Sequence, residues 1–438
     1  MRIIRQFLIY LKSSLWFVPG LMILASIILA LLLVFADSNL NNELLARYPR
    51  IFGFGAEGSR GMLTAIAGSM LTVAALAFAM TLSTISQASA MYSPRVLRNF
   101  MRDRINQFIL GYFVSVFAYC LIVLVTIRGA DEIKFVPSLS VIFALFLAVG
   151  GIIVLIYFIH HIAESLEVTN IVKAIEKETV FVIDKIFPEK MSAEDDDREI
   201  DPSIHRPEEA DWHSIKSNSD GYIQYTDIDG LADLAHQRDL LFRIEYGVGQ
   251  FVAEGTKLVS VNKDPEEDLT NEVNNRFNIF RYRTIEQDAG YGVRQIVDIA
   301  LKALSPGVND TTTAIICIDY LAVIVSKIAQ RTMPSSVRIK DGELRVLAKS
   351  PDFQRFVETA FDQIRISGKS NLAVFIRLLK ALSIVAEKAG SKKRIDVVKE
   401  QIILTRDFGN ETLQTDYEKE VLEKLVTREI KNIGIERV

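Results

Sequence analysis

Small and hydroxyl-bearing side chains recur at helical spacing in one apolar segment of the chain. Steps of three and four residues connect Gly61, Ala65, Gly68, Thr72, Ala75, Ala79, Ser83 and Ser86. Because residues three or four apart share one face of an α-helix, these side chains form a single stripe. The larger residues form the opposite stripe, which consists of Leu63, Ile66, Met70, Val73, Leu76 and Met80.

The small stripe has two interpretations. It allows two helices to pack closely, or it lines a narrow path in which hydroxyl groups contact a solute. In the second interpretation the pore-lining residues are Gly68, Thr72, Ala75, Ala79, Ser83 and Ser86.

A basic segment follows the stripe. Ser93 and Pro94 are suited to begin a helix, after which Arg95, Arg98 and Arg102 share one face. Such arginines contact anionic lipid headgroups and fix the orientation of neighbouring spans. Alternatively, they surround the mouth of a pore and attract anions.

A second polar group lies where the sequence predicts a helix, a sharp turn and another helix. Arg294 and Asp298 can form an ion pair four residues apart. Ser305-Pro306-Gly307 breaks the helix, and Asn309 or Asp310 can cap the next helix. The candidates for a ligand pocket are Asp288, Arg294, Asn309 and Asp310, with a buried network of caps and ion pairs as the alternative.

Signatures of known catalytic sites are absent from the sequence. It contains no P-loop and no G-x-S-x-G, H-E-x-x-H or C-x-x-C motif. The cysteines, Cys120 and Cys317, are far apart, and the adjacent His160 and His161 do not share a helix face. We therefore expect no enzymatic activity, no metal and no cofactor.

Hydropathy determines the elements that carry these residues. The chain of 438 residues is 50% hydrophobic and 24% charged, and its mean hydropathy is +0.23. A net charge of −4 gives no reason to expect nucleic acid as a partner. Four apolar runs reach the length of about 20 residues that a membrane span requires. These predicted spans are 15–36, 62–85, 108–127 and 138–159.

Lysine and arginine are biased toward one side of these spans. One side carries seven, namely Arg2, Arg5, Lys12, Arg95, Arg98, Arg102 and Arg104. The other side carries five, namely Arg47, Arg50, Arg60, Arg128 and Lys134. Since cytoplasmic loops are enriched in these residues, both termini are expected in the cytoplasm.

The remainder of the chain has the composition of a soluble α+β domain. After a transmembrane domain at 1–163, residues 164–211 predict an amphipathic helix, about 164–187 and continuous with the fourth span, followed by an acidic linker. Residues 212–262 predict a small β subdomain, and 263–438 are expected to be mostly helical. A hairpin is predicted at 337–346, with Asp341-Gly342 at its turn.

The β-rich part contains a turn seen in small barrels. Its stretch 247–258 resembles the G-D-x-V-x-x-G-x-x-L turn of biotinyl/lipoyl-like barrel-sandwich domains. The lysine hairpin that carries biotin or lipoate in those domains is absent. The resemblance implies a barrel-sandwich-like scaffold with no prosthetic group.

Longer motifs point to a family. The strings SPRVLRNFMRDRINQFILG, FVPSLSV, FIHHIAESL and QDAGYGVRQIVDIALKALSPGVNDTTTAI resemble the bacterial predicted-membrane-protein family called domain of unknown function 2254. The resemblance implies an integral, multi-pass protein of the bacterial inner membrane. It supplies no activity, substrate or catalytic residue.

The functional expectation combines these observations. The chain is expected to be an oligomeric, channel-like protein in the lipid bilayer, with a regulatory cytoplasmic domain and a small ion or solute as permeant. Four spans hardly enclose a pore, so this expectation requires a homo-oligomer. The alternative is a non-conducting anchor that holds a signalling or scaffold domain at the membrane.

The charge bias gives a first testable prediction. A reporter that is active only in the cytoplasm, fused after Val438, should be active. A reporter that requires export, fused at the same position, serves as the control and should be silent. Activity of the exported reporter alone would contradict the orientation and every loop assignment derived from it.

Overall fold

The computed structural model describes residues 16–39, 55–91, 104–128, 135–165, 167–187, 189, 191 and 211–435. The chain separates into a membrane unit, Met1–Glu167, and an α+β unit, Val168–Val438. The predicted arginine segment with Arg95, Arg98 and Arg102 lies outside the described residues, as does the acidic stretch of the linker.

Long apolar helices form the described part of the membrane unit. They are α1 Phe17–Asn39, α2 Ala56–Met91, α3 Arg104–Thr126 and α4 Ser138–Ser165. Each is long and apolar enough to cross a membrane, as the sequence predicts. Helix α2 has 36 residues and extends beyond the predicted span at both ends. At 1.5 Å per residue it is about 54 Å long, which exceeds the hydrocarbon thickness of about 30 Å.

Glycines bring these helices close together. A Cβ atom at Gly111 of α3 would lie 3.0 Å from the Pro19 Cα atom and 2.6 Å from the Met22 Sδ atom of α1. A Cβ atom at Gly151 of α4 would lie 3.2 Å from Met70 of α2. Close backbone approach of this kind is a usual source of helix association in lipid.

The α+β unit begins with a separate helix, α5 Val168–Ile186. The predicted continuous helix from the fourth span is therefore wrong, because α4 ends at Ser165 and Glu167 belongs to neither helix. The apolar side chains of α5 at steps of three and four, such as Val172, Ile175 and Val182, are buried against the rest of this unit.

Two sheets lie in the α+β unit. The strands are β1 His213–Lys216, β2 Gly221–Thr226, β3 Phe242–Ile244, β4 Phe251–Val252, β5 Lys257–Val261, β6 Phe277–Phe280, β7 Val337–Lys340 and β8 Glu343–Leu347. One sheet has the order β1-β5-β3-β8-β7, and the other has the order β4-β2-β6. All pairs are antiparallel except β3 with β8.

This topology corrects the predicted β subdomain at 212–262. Strands β6, β7 and β8 come from beyond it and complete the two sheets. A helix, α6 Ile228–Gln237, lies inside it. The apolar spacing of Leu231, Leu234 and Ala235 is helical, and Asp227 caps the first turn by accepting from the Gly230 N–H at 3.0 Å.

The predicted hairpin is confirmed. Strands β7 and β8 pair around Asp341 and Gly342, whose φ angles are 52° and 81°. Positive φ at both positions is the requirement of a type I′ turn, which the Asp-Gly dipeptide meets.

Helices make up most of the remaining chain, as predicted. They are α7 Glu267–Asn274, α8 Ala289–Ala303, α9 Thr311–Ala329, α10 Phe353–Ser367, α11 Leu372–Lys388, α12 Lys392–Thr412 and α13 Asp416–Ile435. Helix α9 is a fifth helix long and apolar enough to cross a membrane, where the sequence predicts four. Its residues Cys317, Ile318, Leu321 and Val325 are buried, and it packs against α5, α8 and α11. Its hydropathy is therefore that of a central core helix.

Helices α5 and α8 meet at a glycine, which gives a second prediction. A Cβ atom at Gly292 would overlap the Thr179 hydroxyl and lie 2.9 Å from the Thr179 Cβ atom. Gly292→Ala gains about 1 kcal/mol in helix propensity, but overpacking costs about 1–3 kcal/mol. We expect a thermal midpoint lower by a few degrees, measured by tryptophan fluorescence in detergent.

The matched control is Gly307→Ala. No heavy atom lies within 4 Å of a Cβ atom placed there, so its midpoint should equal that of the unsubstituted chain. Equal midpoints for both variants would show that the contact between Gly292 and Thr179 relaxes at no cost.

Candidate functional site on the second membrane helix

The small stripe of α2 faces away from the rest of the membrane unit. Its residues are all exposed, namely Gly61, Ala65, Gly68, Thr72, Ala75, Ala79, Ser83 and Ser86. The residues buried on the opposite side include Ser59, Leu63, Ile66, Met70, Ala74, Ala77, Thr81 and Thr84. The stripe is therefore not a seam between α2 and the other described helices of its own chain.

The predicted bulky stripe faces inward over most of its length. Leu63, Ile66 and Met70 are buried, while Val73 and Met80 are half-buried. Leu76 departs from the prediction, because it is 53% exposed and borders the small stripe.

Larger side chains border the small stripe and give it the shape of a groove. Leu71, Phe78 and Leu82 lie on one side of it, and Leu76 lies on the other; all four are exposed. The floor is open, since no heavy atom lies within 4 Å of a Cβ atom placed at Gly61 or Gly68. A groove with a small-residue floor fits the ridge of another helix.

The outward faces of α1 and α4 are different. They expose large apolar side chains, which include Leu21, Leu24, Ile28, Leu32, Phe35, Phe146, Ile152, Ile153 and Ile156. Such faces suit acyl chains. The groove of α2 is thus a local departure from an otherwise bulky outer surface.

Two hydroxyl groups in the stripe, those of Thr72 and Ser83, have hydrogen-bond partners within α2. Thr72 donates to the Gly68 carbonyl at 2.8 Å, and Ser83 accepts from the Gln87 amide at 3.3 Å. Their oxygen atoms keep further lone pairs that can accept from a solute. The face is therefore compatible with either an apolar partner or a polar one.

Asp37 connects α1 to α4 at one end of the membrane unit. Its carboxylate accepts from the Leu139 and Ser140 N–H groups, each at 3.0 Å, and from the Ser140 hydroxyl at 2.6 Å. The buried Tyr119 of α3 donates to the Ser140 carbonyl at 3.0 Å. Asp37 thus caps the start of α4, where the helix dipole favours a negative charge.

Arg60 connects α2 to α3 at the same end. Its guanidinium donates to the Ile127 carbonyl at 2.8 Å, directly after α3 ends. A cation at a helix carboxyl terminus has the sign that the dipole favours. This contact holds the first turn of α2 against the end of α3.

The four residues proposed for a ligand pocket are not brought together. Asp288 lies at the start of α8, whereas Asn309 and Asp310 follow its end. Fifteen helical residues separate them, which corresponds to about 22 Å. Arg294 instead pairs with Asp298 at 2.8 Å, as predicted, and Asp310 caps α9 by accepting from the Thr313 N–H at 3.0 Å.

Asp288 is the centre of a smaller, buried network. It caps α8 by accepting from the Tyr291 N–H at 3.0 Å and pairs with Arg283 at 2.7 Å. Burial raises the pKa of the Asp288 carboxyl, an effect that Arg283 opposes without reversing it. Gly249, at φ +85°, leaves room for this carboxylate. Gly249 lies in the barrel-like turn recognised in the sequence, but its contact with Asp288 was not predicted, and Arg283 belongs to no recognisable motif.

Histidines at the end of α4 contact residues one helical turn away. His160 pairs with Glu164 at 3.2 Å, and His161 stacks on Tyr157 at 6.1 Å between ring centroids. Among the described residues, no group of three or more His, Cys, Asp or Glu side chains is arranged to hold a metal ion.

These features define a multi-span helical membrane protein with an attached α+β unit. The family model described as "Predicted membrane protein (DUF2254)" matches residues 12–383. The chain therefore belongs to this family, and the resemblance of its motifs is confirmed.

Mycobacterial proteins are similar to the chain. Uncharacterized proteins of Mycobacterium bovis and Mycobacterium tuberculosis are each 32% identical to it over 367 residues, which is 81% of this chain and 70% of the relative. No solved structure matches the chain. The comparisons support a location in the membrane.

The Asp37 cap gives a third prediction. Asp37→Ala removes the acceptor of two N–H groups and a hydroxyl, and a lost cap of this kind costs about 1–2 kcal/mol. We expect a lower thermal midpoint of the protein in detergent. Ser38→Ala is the control, because Ser38 donates to Phe35 of its own helix. Equal midpoints for the two variants would rule out the cap as a connection between α1 and α4.

Proposed function

We propose that the protein is a channel-like homo-oligomer in which the α2 groove of each copy faces a central path. The path admits a small ion or polar solute, and the α+β unit regulates it. The proposal places the chain in the bacterial inner membrane with both termini in the cytoplasm. It assigns lipid and further copies of the chain as partners and assigns no enzymatic activity.

The outward position of the small stripe carries this proposal. A face of Gly, Ala, Ser and Thr makes fewer van der Waals contacts with acyl chains than the bulky faces of α1 and α4 make. Around a central axis, the same face supplies backbone and hydroxyl oxygens to a path. One chain cannot enclose that path with four spans, so several copies have to contribute an α2 helix.

The contacts that hold α2 against α3 and α4 also support the proposal. Arg60 holds the first turn of α2 against the end of α3, and Met70 packs against Gly151 of α4. A helix held in this way presents the same face in every copy. Uniform presentation is what a symmetric assembly requires.

One observation favours the non-conducting anchor as the alternative. The Thr72 hydroxyl hydrogen is already bonded to the Gly68 carbonyl, so the middle of the groove has no unsatisfied donor that needs water. In this alternative the groove is a dry helix–helix seam between copies, and the α+β unit carries the function as a signalling or scaffold domain.

Substitutions in the groove distinguish the two functions and give a fourth prediction. Ala75→Leu or Ala79→Leu should narrow the path and reduce ion or solute flux through vesicles that contain the protein. The oligomer should persist, because a water-filled path has room for a longer side chain. Ser83→Leu and Ser86→Leu extend the test along α2. Flux and size-exclusion chromatography are the two measurements.

Ala25→Leu is the matched control, because Ala25 is exposed on α1 outside the groove. It should change neither flux nor assembly. In a dry seam, leucine at Ala75 or Ala79 would overpack the contact at a cost of about 1–3 kcal/mol. Absence of flux with the unsubstituted chain, together with dissociation of these variants, would defeat the channel proposal and favour the anchor.

A further inference from the structure

The exposed face of α5 carries basic residues at regular helical spacing. Lys173, Lys177, Phe181 and Lys185 follow one another at steps of four residues, and all four are exposed. The Phe181 side chain is 70% exposed. The opposite face of α5 is buried in the α+β unit. The basic face is therefore a fixed surface of this unit.

The acidic residues at this face do not cancel its charge. Glu178 and Asp184 are exposed beside the lysines, and Glu176 is half-buried next to Lys177. Asp184, however, pairs with Lys327 at 3.1 Å and also with Arg331. These two cations compensate Asp184, and the three lysines outnumber Glu176 and Glu178, so the surface along α5 keeps an excess of positive charge.

The position of α5 directly after the fourth membrane helix determines which binding partners are close to this face. Helix α4 ends at Ser165 and α5 begins at Val168. Two residues lie between them, and the three Cα–Cα steps from Ser165 to Val168 reach about 11 Å at most. A tether this short keeps the start of α5 within reach of lipid headgroups. The effective concentration of headgroups at α5 is then high, so even weak binding leads to contact.

From the basic spacing, the exposed phenylalanine and the short tether, we propose that this face of α5 binds the headgroups of anionic lipids. The lysine ammonium groups contact lipid phosphates, and the Phe181 ring enters the interfacial layer between them. The proposal does not depend on conduction. It assigns a lipid-binding surface to the α+β unit whether the protein is a channel or an anchor.

A fluorescent probe at position 181 tests the proposal in the full chain. Phe181→Cys is labelled with an environment-sensitive fluorophore and reconstituted in vesicles of phosphatidylcholine, with or without phosphatidylglycerol. A quencher is attached to the lipid at headgroup level. We expect quenching and a blue shift that increase with the anionic lipid and weaken with salt.

Two controls accompany the probe. Phe280→Cys places the same label on another exposed phenylalanine of the α+β unit, 55% exposed on β6, and should show little quenching. The unsubstituted chain, whose Cys120 and Cys317 are both buried, measures background labelling.

A charge variant completes the test. Replacing Lys173, Lys177 and Lys185 with Gln should lower binding of the 181 probe to anionic vesicles, by up to about fivefold for each lysine. Equal quenching at 181 and 280, or equal quenching in neutral and anionic vesicles, would overturn the proposal. Protection of the 181 probe from aqueous iodide without quenching by lipid would also contradict it, because that result indicates contact with protein.

Discussion

Backbone N–H and C=O groups at a helix end are costly to leave without hydrogen-bond partners in an apolar environment. In the membrane unit, charged side chains of neighbouring helices supply partners at two helix ends. The Asp37 carboxylate of α1 accepts hydrogen bonds from the first N–H groups of α4. Arg60 of α2 donates to the carbonyl that follows α3. Each charge has the sign that the helix dipole favours. Because the predicted spans contain no charged residue, such contacts form at the ends of the helices, where all four spans are tied into one frame.

The orientation of α2 follows from this frame. With its first turn held against the end of α3, α2 directs Leu63, Ile66 and Met70 into the core. Gly151 of α4 accommodates Met70 by close contact. The side with the small stripe then has to face outward. The feature with the clearest functional interest therefore depends on contacts made at the opposite face of the same helix.

Hydropathy, turn chemistry and capping are local, and they could be read from the sequence. The four spans, the Asp341-Gly342 hairpin and the Asp310 cap all follow from such signals. The inward face of α2 could not be predicted, because in lipid either a small or a bulky stripe can face the bundle. The sheet order could not be predicted either, since β3 pairs with β8 across about a hundred residues. The core position of α9 is likewise decided by its neighbours, because its hydropathy equally fits a span.

In the non-conducting alternative, the shape of the α2 groove gives a physical reason for copies of the chain to associate there. Acyl chains can fill a groove with a small-residue floor only by losing conformational freedom, and they make few contacts with glycine and alanine. A rigid helix fills the same groove without that loss, because its ridge is already ordered. The bulky faces of α1 and α4 give lipid its full contact and offer no comparable advantage to a second helix. Among the outward faces that the structure describes, the small stripe is therefore the one where this alternative expects a protein neighbour to be favoured over lipid.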